Sequence, residues 1–456
     1  MRYQWDAVTW LIVAAAGGLL LWSSHGYLDQ SGDSAEYIRL ARSLAHGTGY
    51  EIMGDPSVKY PPGFPALLSV IERLAPGQWQ WMRLPAIAGY LGIVALLAAA
   101  SPLAAALCAT APVMPLFGHQ VMADVPLALL VLAGLLLLRD ERLSRTVGGF
   151  ACLWVAWYVK SIAVVFVAAA LLDLVCRRDW RMVIAMGLAS VAVMGPWSLW
   201  CWTHGDATFY ATQLWHADPY RPDAGELSVF GLVARALAHC GPYLAVLPAL
   251  AAVFVLAQFT GGHDRRDRAL WLGLGVYLPV MCAWPFWAHR FLVPVVPIVA
   301  LLTAGALQRS WVAHARRWWV FAAMAAVIVA TQLVSVNPAA ARALPHAWQQ
   351  YQEAGEWLRD NTPPETVICA RKPHWLTVVS GRECIGFPYA SPEAIFAWWD
   401  RYQVRYVVVE QLGFSQTDRY LMPAIVDWKG GWKVAWFPTS PGEVQCTIIE
   451  RMESPR

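Results

Sequence analysis

The sequence predicts a polytopic α-helical membrane protein of about eleven transmembrane helices, followed by a small C-terminal α/β domain in water. Three observations predict it. The 456 residues are 58% apolar and only 14% charged, with mean hydropathy +0.42; an ordinary soluble domain is about 25% charged. Apolar runs of near-span length recur through the first three quarters of the chain. The charge is uneven: about 21% of residues are charged from Pro345 onward and about 12% before it. A membrane domain, 1–344, therefore precedes a water-soluble one, 345–456. This composition excludes a soluble globular enzyme and a disordered chain. A net charge of +3 is too small to suggest nucleic acid as a partner. The 26 Trp and 16 Tyr suit a large surface at the membrane boundary, where amphipathic rings settle among the membrane lipids.

The spans are expected near Val8–Trp22, Pro85–Ala99, Pro102–Phe117, Val121–Leu138, Val147–Tyr158, Ile162–Val175, Met182–Trp202, His239–Gln258, Ala269–Pro285, Phe291–Leu307 and Trp318–Val336. Basic clusters at Arg139–Arg145, Arg177–Arg181, His263–Arg268 and Arg309–Arg317 set the orientation. With a cytoplasmic N-terminus all four fall inside. An even number of spans must separate the first two clusters, so Val147–Val175 is two short helices turning around Lys160. The outer segments are then the loop 23–82, the turn at His119–Ala123, Lys160, Thr203–Leu237, Phe286–Arg290 and everything after Val336. The first apolar run lacks a small-residue cleavage site and reads as a retained span.

The outer C-terminal domain reads as helix over Ala347–Asn361, strands over Thr366–Ala370 and Tyr406–Val409, and helix over Pro392–Tyr402. Val434–Pro438 and Cys446–Ile449 are candidates to close the sheet. Six of the nine cysteines lie in or beside spans, where they act as small apolar residues. Cys369, Cys384 and Cys446 lie outside, where a Cys369–Cys384 disulfide is open. No CxxC or His-pair spacing marks a metal site. No internal repeat, phosphate-binding loop or dinucleotide glycine motif is present, which argues against an ATP-driven pump carried by this chain alone.

The outer loop 23–82 carries chemistry. From Asp33, positions 37, 38, 41, 44 and 45 form one apolar stripe at helical spacing, with Glu36, Arg39, Arg42 and Ser43 on the wetter side. Gly47 and Gly49 end the run. This predicts an interfacial helix with Asp33 at its start. Asp33-x-x-Glu36 has capping-box spacing, so Asp33 is either a cap, a catalytic group, or both. Lys59-Tyr60-Pro61-Pro62-Gly63 is a stiff loop that leads into a second interfacial helix. His119 through Asp124 and Pro126 sit at the outer start of the fourth span, and Asp124 fits both a helix start and a site. Lys160 lies in the outer turn, and His289-Arg290 precede the tenth span. A Lys amid apolar residues is costly in lipid and is usually functional or near water.

These residues share a logic. Two carboxylates and several cations are expected on one side of the membrane. A sugar on a polyprenyl phosphate presents an anionic leaving group at that depth. Lys and Arg stabilise phosphate oxygens, more strongly where water is excluded. A phosphate so neutralised leaves with little acid help, whereas the attacking hydroxyl or amine needs a base, which a carboxylate supplies.

At these residues the chain resembles the GT-C fold glycosyltransferases, in the branch of protein O-mannosyltransferases and lipid A aminoarabinose transferases. The matching pieces are Gly32-Asp33-Ser-Ala-Glu36-Tyr37, His46-Gly-Thr-Gly-Tyr50, Tyr60-Pro-Pro-Gly63, Ala123-Asp124-Val-Pro126, the Lys160 turn and Arg290-Phe-Leu-Val-Pro294. Trp357-Leu-Arg-Asp-Asn-Thr-Pro363 and Ser380-Gly-Arg382 resemble the group's C-terminal appendage. Each motif is short; their order along the chain gives them weight. The resemblance implies that Asp33 is the catalytic base and Asp124 the second acidic position. It implies that Lys160 and Arg290, with Lys59 a further candidate, lie near the lipid phosphate. Tyr60, Glu36, His119 and His289 are the remaining candidate substrate-binding residues. It also implies inverting hexosyl or pentosyl transfer from a polyprenyl-phosphate sugar at the periplasmic face of the bacterial cytoplasmic (inner) membrane. The acceptor, whether lipid, glycan or protein, and any divalent metal stay open. The competing readings are a transporter or lipid flippase without covalent chemistry, and a scaffold in envelope assembly.

Overall fold

The computed structural model describes residues 7–205, 209–261, 264–313, 318–336, 343–439 and 442–452. His263 and residues 314–317 of the expected basic clusters lie outside them. The chain divides into two compact units. Met1–His25, Leu40–Ala217 and Glu226–Arg342 form the first; Gly26–Arg39, Asp218–Gly225 and Ala343–Arg456 form the second.

The first unit is helical. Three of its described helices are long and apolar enough to cross a membrane: Trp79–Ala100, Trp180–His204 and Val229–Val246. Five shorter apolar helices accompany them, among them Ala7–Ser23 and Asp124–Leu137. Most expected spans fall on observed helices. Leu143–Val159 and Val164–Cys176 are the two short helices around Lys160, whose extended backbone (φ −158°) breaks the run. Two expectations differ. The run Pro102–Phe117 is two helices, Pro102–Ala109 and Val113–Gly118, because Pro112 has no N–H to give and disfavours helix at the residue before it. The span expected at His239–Gln258 is likewise two helices, Val229–Val246 and Pro248–Gly261. The first of these begins inside the expected outer loop, with Ser228 Oγ accepting from the Gly231 N–H as a cap. Its outward residues Val229, Phe230 and Leu237 are exposed apolar groups, a face that suits lipid better than water.

Packing in this unit relies on close backbone approach. A Cβ on Gly134 would stand 2.9 Å from the Gly149 carbonyl oxygen, and one on Gly149 would stand 2.9 Å from the Gly134 oxygen. The helices Asp124–Leu137 and Leu143–Val159 therefore touch through paired glycines, the small-residue contact that lets membrane helices approach closely. At the far end of Asp124–Leu137 the basic clusters meet. Arg139 pairs with Asp267 at 2.8 Å, and fully buried Asp173 takes Arg268 at 2.6 Å and Arg177 at 2.5 Å. Three of the clusters used to orient the chain thus lie together at one end of the unit.

The second unit is built on a five-stranded sheet. We number its strands β1 (Val367–Cys369), β2 (Glu383–Ile385), β3 (Val404–Glu410), β4 (Trp432–Trp436) and β5 (Cys446–Arg451). The spatial order is β2-β1-β3-β5-β4. The first three strands are parallel and the last two antiparallel to their neighbours. The helices His346–Asn361, Pro373–Ser380 and Pro392–Arg401 make the connections and cover. Trp399, Ile395, Val407 and Leu421 are fully buried in its core. The helix Pro373–Ser380 and strand β2 escaped the sequence reading, since each is short and lacks a clear period. Cys369 and Cys384 are free thiols. The parallel register sets Cys384 opposite Ile368 and Cys369 opposite Ile385. Alternation along the strands then points the two sulfurs to opposite faces of the sheet, which rules out the disulfide left open by the sequence.

Two outcomes are expected. Replacing Gly134 by Val should cost about 1–3 kcal/mol through overpacking, read as a lower unfolding midpoint in detergent. Alkylation of the unfolded chain without reductant should modify both Cys369 and Cys384, as mass spectrometry of the peptides would report.

Candidate functional site

In the first unit the site is assembled from helix ends. Asp124 is the first residue of the helix Asp124–Leu137; the preceding Ala123 occupies the cap position with no side-chain cap bond. The carboxylate is therefore not a cap. Lys160 follows the last residue of Leu143–Val159, and its Nζ donates to Asp124 Oδ1 at 2.7 Å. Asp124 is 2% exposed and Lys160 16%. Both sit where the helix dipoles favour them, an anion at an N-terminus and a cation at a C-terminus. Asp124 Oδ2 is buried and has no hydrogen-bond partner among the described residues. A buried charged oxygen is costly to leave unpaired, so this atom is free to hold a polar group of a ligand.

Arg290 joins this pair through Phe291. The Lys160 ammonium is 6.0 Å and the Arg290 guanidinium 5.4 Å from the Phe291 ring centroid. Arg290 lies in the single 3₁₀ turn His289–Leu292. The Phe291 carbonyl accepts from the Tyr277 hydroxyl at 2.8 Å, which ties the turn to the helix Arg268–Ala283. Phe291 entered the sequence analysis only as part of the Arg290–Pro294 motif, and Tyr277 was not singled out, because aromatic residues in spans are the norm there.

The loop of Lys59 and Tyr60 is held by its backbone. The Tyr60 carbonyl accepts from the Tyr50 hydroxyl at 2.7 Å, the Lys59 carbonyl accepts from Tyr210, and the Ser57 carbonyl accepts from Trp200 Nε1 at 3.0 Å. The Lys59 ammonium lies 4.7 Å from the centroid of the adjacent Tyr60 ring, and Tyr60 is buried. The helix that follows, Gly63–Leu74, begins against the end of Leu143–Val159: a Cβ on Gly63 would stand 2.6 Å from the Tyr158 carbonyl oxygen. Only glycine permits this approach, which fixes the loop two residues from the Lys160 turn.

His119 and His289 stand apart from the ion pair. Buried His119 donates from Nδ1 to the Pro115 carbonyl at 2.8 Å, and its ring meets His25 edge-on at 4.5 Å. His289 is exposed, its ring edge-on to Trp287 at 4.6 Å.

Asp33 and Glu36 belong to the second unit. Asp33 opens the helix Asp33–His46 and is half-buried, with the chain entering through Gly32 at φ +89°. Lys372 Nζ donates to the Ser31 carbonyl at 3.3 Å. The side of this helix expected to be wet is instead covered at Glu36 and Arg39, each 7% exposed. Arg39 donates to Glu383 at 2.5 Å, to the Cys384 carbonyl at 3.1 Å and to His374 Nδ1 at 3.1 Å. Guanidinium has no acceptor, so His374 Nδ1 accepts and its Nε2 carries a proton toward Glu36 Oε2, 3.8 Å away. These charges read as solvated because their partners lie more than 330 positions away in sequence. Among the described residues no group of three His, Cys, Asp or Glu side chains is placed to hold a metal ion.

This architecture is the polytopic helical membrane GT-C fold with a small C-terminal sheet domain. No family model and no curated protein matches the sequence. The structure of ArnT from Cupriavidus metallidurans bound to undecaprenyl phosphate matches with a TM-score of 0.65, covering 98% of this chain and 98% of that one at 15% identity. The same protein in the apo state matches with a TM-score of 0.64, covering 96% of this chain and 97% of that one, again at 15% identity. At that identity the likeness establishes the fold.

The Asp124–Lys160 pair makes a stability prediction separable from function. Lys160→Met leaves a buried, uncompensated carboxylate and should cost about 3–5 kcal/mol. Adding Asp124→Leu should restore much of that loss in a detergent melt. A double variant no more stable than Lys160→Met would mean the two groups are not coupled.

Proposed function

We propose that the chain is an integral-membrane inverting glycosyltransferase that moves a sugar from a polyprenyl-phosphate donor to an acceptor at the periplasmic face of a bacterial cytoplasmic membrane. One observation carries the reading: a half-buried lysine pairs with a buried aspartate at two helix ends, with an arginine on the same aromatic ring and one aspartate oxygen without a hydrogen-bond partner among the described residues. Lys160 has two further N–H donors beyond the one given to Asp124. Together with Arg290 they suit the oxygens of a lipid phosphate. The fold likeness supports this, since a similar structure is of ArnT bound to undecaprenyl phosphate.

The chemistry follows. The acceptor oxygen attacks the anomeric carbon as the bond from that carbon to the phosphate oxygen breaks. The bonding pair leaves on the polyprenyl phosphate, where Lys160 and Arg290 stabilise it. The acceptor proton passes to the Asp33 carboxylate, the base of this reading. Asp124 holds Lys160 in place and turns its second oxygen to a hydroxyl of the bound sugar. Attack opposite the leaving phosphate inverts the anomeric centre.

Transport is the alternative, and it favours charged groups near the middle of the membrane. Leu143–Val159 has 17 residues, about 25 Å of helix, against a hydrocarbon core of about 30 Å. A helix of that length starting at one headgroup layer would carry Lys160 toward the other and not to the midplane, which supports the transferase reading.

The test compares envelope glycans, glycolipids and glycoproteins by mass in a deletion strain and in the same strain carrying wild type or Asp33→Asn. One sugar mass should disappear on deletion and return only with wild type. In reconstituted protein, Asp33→Asn should lower kcat by about 10²–10⁴ with donor binding retained. Restoration by Asp33→Asn would overturn the assignment of the base.

A further inference from the structure

The second unit contains an open cavity of about 310 Å³ lined by Arg221, Asp223, Tyr389, Arg419 and Tyr420. It lies at the small end of the ~300–1,000 Å³ range of ligand sites, with room for one or two sugar rings. Tyr389 and Tyr420 stack at 5.3 Å with their planes only 14° apart. The two rings cover each other's inner faces, and what the pair offers a pyranose C–H face is an outer ring face, apolar, with a hydroxyl at its edge. Among the described residues neither Arg221 nor Arg419 has an ion-pair partner, and both are exposed.

We propose that this cavity is a saccharide subsite selective for a carboxylated sugar of the uronic-acid type. The lining holds two guanidinium groups and one carboxylate, a net charge of +1. A uronate carboxylate is a monoanion with the planar geometry that arginine grips through two parallel N–H bonds. A phosphate approaching two negative charges would meet Asp223 as a repulsive neighbour, whereas Asp223 can accept from the hydroxyls of a uronate.

Its place in the unit gives the subsite a role. The Arg371 guanidinium stands 5.7 Å from the Tyr389 ring and 4.8 Å from the Phe414 ring. Lys372 stands 4.3 Å from that same Phe414 ring and donates to the Ser31 carbonyl, two residues before Asp33. A continuous run of contacts thus leads from the cavity to the segment that carries the proposed base. That the bound saccharide is the acceptor rests on the transferase reading; that the cavity binds it does not.

The experiment uses the full chain in lipid nanodiscs and three probes: digalacturonate, lactose and glucose 6-phosphate, with binding read by calorimetry or saturation-transfer NMR. Digalacturonate should bind at least tenfold more tightly than either other probe. Tyr389→Ala and Arg419→Gln should each weaken it at least tenfold. Arg405→Gln, whose side chain is paired with Glu450 at 2.8 Å on the sheet, should leave it unchanged. Arg419 is exposed, so its variant keeps the test valid where Tyr389→Ala fails to fold. Equal binding of lactose, tighter binding of glucose 6-phosphate, or indifference to Arg419→Gln would overturn the proposal. Binding is read without any transfer step, so failure of the proposed base leaves this result standing.

Discussion

The ion pair between Asp124 and Lys160 is the constraint on which the membrane unit turns. Two charges taken out of water lose several kcal/mol of solvation each, and their attraction repays it only with good geometry. Here the geometry comes from three separate arrangements. Helix ends supply complementary dipoles to both charges. The glycine contact between Gly134 and Gly149 brings the two helices close enough for their ends to meet. The break at Lys160, in extended backbone, turns the ammonium out of the helix it follows and onto the start of the other. Gly63 adds a fourth element by seating the Lys59–Tyr60 loop on the carbonyl of Tyr158.

The opposite end of the same helices is built differently. There Asp173 takes two arginines, and Arg139 pairs with Asp267. Every formal charge in that network except the outlying guanidinium edges has an opposite neighbour, which makes it a brace. At the Asp124 end one carboxylate oxygen has no hydrogen-bond partner among the described residues; the same is true of Asp173 Oδ2 and Asp267 Oδ1, although arginine nitrogens stand 2.5 and 2.8 Å from those two. The two ends thus differ in their cations: two arginines on Asp173 at one, a single lysine on Asp124 at the other. About 20 Å of helix lies between the two, from the 14 residues of Asp124–Leu137.

The second unit makes a parallel point about charge. Glu36, Arg39, His374 and Glu383 form a chain of polar contacts beneath the helix that Asp33 begins. Arg39 satisfies a carboxylate, a backbone carbonyl and an imidazole at once, so it orients the helix as well as neutralising Glu383. The small C-terminal sheet is therefore more than an appendage: its strand β2 and the helix before it furnish the partners that bury the charged face.

The sequence by itself determined the helix ends. Asp124 before Pro126, the lone Lys160 between two apolar runs, and Pro-Pro-Gly63 before an apolar stretch each specify local backbone, and proline, glycine and charge act locally. It also determined much of the sheet domain, because β-branched runs such as Tyr406–Val409, within the observed strand Val404–Glu410, declare themselves by composition. Tertiary structure alone decided which charges meet. The amphipathic stripe of Asp33–His46 identified one buried face, but hydrophobic periodicity measures contrast with water and is blind to a second face covered by ion pairs. The partners of Glu36 and Arg39 lie more than 330 positions along the chain, and no local pattern encodes a contact at that separation. The same holds for the unpartnered oxygen of Asp124, which is defined by what packs around it and not by what precedes it in the sequence.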